Sequence, residues 1–184
     1  MLAPDSLTPE DEKLLVDALD QLSPTGIANI CNTIVGAELP FEHFVDEALP
    51  IVKKNLKSFD LTEIGEVLIA FASFSPDVEL FEYAEQIIKE RKSELSPNSV
   101  LILGQAFAHT SNGTSDLVEL FDKTVGKNMS KVTADMISPL LAMFSSFDNV
   151  REKIFIAFHR KIKNHKNELS LAEKCHILGV YGRK

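Results

Sequence analysis

The chain has no tryptophan, two cysteines and no apolar run near the roughly 20 residues that a bilayer-spanning helix needs. No membrane span is therefore expected. Cys31 and Cys175 lie in helical segments and read as buried free thiols, compatible with a reducing compartment. Positive charge is in deficit: 19 Lys and Arg stand against 27 Asp and Glu, a formal net charge of −8. That balance disfavours non-specific nucleic-acid binding, whose affinity comes from neutralising phosphates. No Gly-rich phosphate loop, Gly-x-Ser-x-Gly or His-Glu-x-x-His occurs. The histidines, His43, His109, His159, His165 and His176, are scattered without zinc-ligand spacing. Neither catalysis nor a metal, cofactor or small-molecule substrate is expected. The N-terminus is acidic, unlike a secretory signal or an Arg-rich transit peptide.

What the chain does have is a repeat. Leu95-Ser-Pro-Asn-Ser-Val-Leu-Ile-Leu-Gly-Gln-Ala-Phe-Ala108 reads as a helix opening. Ser96 is a good N-cap, because its hydroxyl can accept an orphan N–H of the first turn. Pro97 sits at the first helical position, where a missing N–H costs nothing. Leu95 and Val100 occupy the two positions of a hydrophobic staple. The staple residue recurs as Leu22, Phe59, Leu95, Val132 and Leu169, at spacings of 37, 36, 37 and 37. The cap recurs beside it as Ser23, Asp60, Ser96, Thr133 and Ser170. Four past the cap stand Ile27, Ile64, Val100 and Ile137, then Lys174, which breaks the pattern. Seven past it stand Ile30, Val67, Leu103, Leu140 and Ile177; eleven past it, Ile34, Phe71, Phe107, Phe144 and Tyr181. Such a period marks stacked helical hairpins.

The second half of each unit repeats as well. Eleven residues before each staple come Ala48, Ala84, Phe121 and Phe158; seven before come Val52, Ile88, Val125 and Ile162. These are apolar positions of a second helix running antiparallel to the first. Gly36 and Pro40, Pro76, Asn112-Gly113 and Asp148-Asn149 punctuate the links. The expected fold is all-α, one domain spanning 1–184: a right-handed α-solenoid of about four and a half hairpins with a 36–37-residue period. Residues 1–21 form an N-terminal capping helix, repeats start near 22, 59, 95 and 132, and 169–184 is a half repeat.

Leu95-Ser-Pro, Gln105-Ala-Phe-Ala108, Ile69-Ala-Phe-Ala72 and Ala142-Met-Phe-Ser145 resemble the first helix of pentatricopeptide, heptatricopeptide and octotricopeptide proteins. The 37-residue heptatricopeptide pattern is nearest in length. Tetratricopeptide repeats match less well, since their period is 34 and they carry a Trp that this chain lacks. The resemblance implies an organellar, mostly mitochondrial protein that binds RNA or serves as a structural subunit. One such relative is a small accessory subunit on the ATP synthase catalytic head of some protists. The column that reads bases in pentatricopeptide proteins holds Ala28, Gly65, Leu101, Ser138 and Cys175 here. Leu101 cannot hydrogen-bond a base, and Ala28 and Gly65 have no group to do so.

Charge is unevenly placed along the second helices. They begin acidic, as at Asp77 and Glu79, and end basic. The basic set is Lys53, Lys54, Lys57, Lys89, Arg91, Lys92, Lys123, Lys127, Arg160, Lys161 and Lys163. Helix-dipole complementarity accounts for such a gradient, at about 0.3–1 kcal/mol per charge. A basic edge toward phosphate or an acidic partner is the functional reading of the same residues. Two functions follow. The first is a non-catalytic scaffold or accessory subunit that binds protein in a multi-subunit assembly. The alternative is an RNA-binding helical repeat. The last first-type helix carries Ile177, Leu178, Val180, Tyr181 and Arg183 without a second helix after it in this sequence, so these five are expected to contact a partner chain or further residues of their own chain.

Overall fold

The computed structural model describes residues 8–148 and 150–182. Ten α-helices are present, and no strand occurs among the described residues. They are α1 (Pro9–Ala18), α2 (Pro24–Gly36), α3 (Glu42–Asn55), α4 (Leu61–Phe74), α5 (Val78–Glu90), α6 (Pro97–Thr110), α7 (Ser115–Lys127), α8 (Ala134–Ser145), α9 (Glu152–His165) and α10 (Leu171–Tyr181).

Local chemistry places the helix starts. Ser23 accepts the Gly26 N–H, while Asp60, Ser96 and Ser170 form reciprocal capping boxes with Glu63, Ser99 and Glu173. Thr8 does the same with Asp11 at the head of α1. Thr133 departs from the column: it occupies the N-cap of α8, but its side chain accepts no bond. Pro50 and Pro139 lie inside α3 and α8, and both helices continue through them.

The helices pack in two rows. In the first row α2 contacts α4, α4 contacts α6, α6 contacts α8, and α8 contacts α10. In the second row α1 contacts α3, α5 contacts α7, and α7 contacts α9. Consecutive helices α2 and α3, α4 and α5, α6 and α7, and α8 and α9 also touch across their short links. One continuous core runs between the rows. Phe71, Phe107 and Phe144 are fully enclosed in it, as are Ala48, Ala84, Phe121 and Phe158 from the second helices. Each fully buried Phe contributes roughly 1.5–3 kcal/mol through removal of its surface from water.

Close approach in the first row needs two glycines. A Cβ on Gly65 would lie 2.7 Å from Ile102 Cγ2 and 3.0 Å from the Leu103 backbone nitrogen. One on Gly104 would lie 2.6 Å from Met143 Sδ. Any larger residue at Gly65 therefore meets backbone that cannot step aside.

One thiol departs from the expectation. Cys31 is buried between first-row helices, and burial pushes its thiol up to about 12. Cys175 is exposed, because it points away from the α8 contact that buries Ile177 and Val180. Among the N-terminal leucines, Leu19 is buried but Leu14 is 67% exposed.

Candidate interaction surfaces

A shallow groove of about 510 Å³ runs across α4, α6, α8 and α10. Its floor is apolar and small, with Ile69, Ala72, Ala106, Ala108, Pro139, Ala142 and Met143. Gln105, His109, Ser146 and His176 supply the polar groups. No Lys, Arg, Asp or Glu lines it. His176 is held by its Nδ1, 2.8 Å from Ser138 Oγ. The groove is assembled from positions about 37 apart on successive first-row helices, so no single stretch of sequence displays it.

The column compared above with a base-reading position does not line this groove. Ala28, Gly65 and Ser138 are buried where one first-row helix meets the next, and Leu101 is half-buried. Only Cys175 in that column is exposed.

About half of the basic set is spent inside the protein. Lys53 binds Asp77 at 2.9 Å and Glu79 at 3.1 Å, linking α3 to the head of α5, and the Asp77 hydrogen bond raises the lysine above its ordinary value. Lys57 faces Glu90 at 3.6 Å, and Lys89 faces buried Glu85 at 2.6 Å. Arg91 holds Glu94 and donates to the Phe59 carbonyl, each at 2.6 Å. Lys123 pairs with Glu119 at 3.0 Å. Lys54, Lys92, Lys127, Arg160, Lys161 and Lys163 form no ion pair among the described residues. Three of these six lie on α9.

A third surface lies on α10, and it divides the expected contact residues. Ile177 and Val180 are inside the core, at 5% and 2% exposure. Tyr181 is half-buried; its hydroxyl donates to the Phe155 carbonyl at 2.8 Å, and burial raises its pKa. Leu178 is 71% exposed and Leu171 is 78% exposed. Arg183 lies outside the described residues. The exposed face is therefore Leu171, Cys175 and Leu178, one helical stripe. In the preceding first-row helices the Leu178 position is filled by buried Cys31, Leu68, Gly104 and Leu141.

Sequence reasoning missed one device. Glu12, Glu85 and Asp122 share a column, ten residues before the staple, and each reaches the start of a later second-row helix. Glu12 Oε1 accepts the Phe44 N–H at 3.0 Å, where the N-cap Phe41 has no acceptor to offer. Glu85 receives the Thr114 hydroxyl and its N–H, and Asp122 receives the Arg151 guanidinium. The partners lie 29–32 residues away, and the only signal for them in the sequence is the register the acids share, 73 residues from Glu12 to Glu85 and 37 from Glu85 to Asp122.

No group of His, Cys, Asp and Glu among the described residues could hold a metal ion, and no described helix is long and apolar enough to cross a membrane. The chain matches no protein-family model and no curated protein sequence.

Proposed function

We propose that this chain is a non-catalytic right-handed α-solenoid of the pentatricopeptide and heptatricopeptide kind. It binds protein, as an accessory or structural subunit of a larger mitochondrial assembly. The observation that carries this reading is the groove across α4, α6, α8 and α10, which is concave, mostly apolar and lined by no Lys, Arg, Asp or Glu. Such a surface suits an apolar polypeptide segment, with Gln105 and His109 at hand for its backbone polar groups. Phosphate would find no Lys or Arg there. The basic residues that could serve RNA lie elsewhere, and Lys53, Lys57, Lys89, Arg91 and Lys123 are already engaged by acids of this chain.

The test is recovery of partners from a mitochondrial extract by the tagged chain, with and without RNase. Ala142→Arg, which places a charge on the groove floor, should lose the partner, and RNase should leave it bound. RNA binding would instead survive Ala142→Arg, fall steeply with salt, and fail in the triple charge reversal of Arg160, Lys161 and Lys163 to Glu. That result would replace the protein-binding reading with the RNA-binding one.

A further inference from the structure

We infer that the two ends of this molecule fit each other, so that the α9–α10 end of one copy docks on the α1–α2 end of a second. The packing rules are those the chain uses internally. Within the first row, the residue five past each cap faces the residue six past the next cap: Gly65 faces Ile102, and Ser138 bonds His176. The residue eight past a cap faces the one ten past the next cap, as Gly104 faces Met143. Applied to α10, these rules aim Cys175 at Asn29 and Leu178 at Thr33 of a second copy. Asn29 and Thr33 are exposed on α2. Thr33 also lines an apolar pocket of about 170 Å³ with Leu15, Ile30, Ile34, Leu39 and Phe41. Leu178 has a place to go.

The second row agrees. Leu14 of α1 stands eight before its staple, where α5 carries Ile87, which is 1% exposed, yet Leu14 is 67% exposed. A second-row helix would bury that position, and α9 offers a mostly apolar depression of about 460 Å³ bordered by Val150, Phe155, Ile156, His159 and Tyr181, with Glu152 as its one acid. Charge complements shape. The α1 helix carries Glu10, Asp11, Glu12 and Asp17 with one lysine, whereas α9 carries Lys153, Arg160, Lys161 and Lys163 with one glutamate. Lys163 holds the place of Lys53 and Lys89, which both reach the start of the following second helix. Opposed fields of this kind favour one orientation of docking. The occupant is thus a second copy of this chain, joined head to tail. A contact between two different patches does not close on itself as a two-fold dimer does, so it builds chains or rings.

The test uses the full chain in sedimentation velocity over a concentration series. The mass should rise past the dimer, and added salt should lower it. Leu14→Lys and Leu178→Asp alter exposed side chains and should keep the wild-type denaturant midpoint while each stays monomeric. Mixed together, they should give a one-to-one dimer and nothing larger, since each retains the end that the other has lost. Oxidised Asn29→Cys should give a ladder through Cys175 that Asn29→Cys/Cys175→Ser lacks. A wild-type chain that stays monomeric at every concentration overturns the inference. So does an assembly that Leu14→Lys leaves intact, or a Cys175–Cys175 dimer as the sole oxidised product of Asn29→Cys, since neither uses the α1–α2 end.

Discussion

Phe71 and Phe107 are enclosed on every side, so truncating either removes a large apolar group and leaves a cavity. Phe71→Ala and Phe107→Ala should each lower unfolding free energy by about 3–5 kcal/mol, read from denaturant midpoints. The caps should separate two residues that occupy the same column. The Ser96 hydroxyl accepts the Ser99 N–H at 3.2 Å, while the Thr133 side chain accepts nothing. Ser96→Ala should therefore cost about 1 kcal/mol and Thr133→Ala clearly less. Asp77 connects stability to pH. Burial pushes its carboxyl up, but hydrogen bonds from the Lys53 ammonium and the Leu80 N–H outweigh it and hold the group below its ordinary 3.8. A depressed acid adds stability that is whole above the ordinary value and disappears as pH falls through the folded one. Asp77→Asn should accordingly lower the midpoint at neutral pH and shrink the difference from wild type at about pH 3.

At the scale of the helices, what was readable from sequence was whatever is decided within about one turn. A cap, a staple and a breaker lie within five residues of each other, so the starts near 23, 60, 96, 133 and 170 and the links could be read directly. Contacts between helices were not readable in that way. The acids Glu12, Glu85 and Asp122 look like ordinary surface charges until the next second-row helix is set beside them. Where that column holds Leu49 instead, α5 caps itself through Asp77. Helix α3 has no such cap of its own, so Glu12→Ala should cost about 1 kcal/mol, as loss of a conventional N-cap does. The drop should show as faster amide exchange at Phe44, with the α5 start unaffected.

The whole molecule is a set of neighbours in two rows, and its surfaces follow from that. The uncharged groove went unread because four helices share it. Of the basic edge, Lys53 and Lys57 are engaged by acids of the next unit, which the sequence did not display, whereas Lys89, Arg91 and Lys123 pair with acids of their own unit three or four residues away. The face of α10 was half read: its apolar character was evident, but which residues turn inward depends on α8. The same row geometry gives the protein two thiols of opposite accessibility. Cys31 is a clock inside the α2–α4 seam, and with its thiol pushed up to about 12 it reacts only when that seam opens. Cys175 lies in the open. A thiol reagent should modify Cys175 at once and Cys31 slowly, at a rate that mass spectrometry reads as the opening frequency of the first two hairpins. Dilution should leave the Cys31 rate unchanged and quicken the Cys175 reaction, so one labelling course distinguishes breathing within a molecule from separation between molecules.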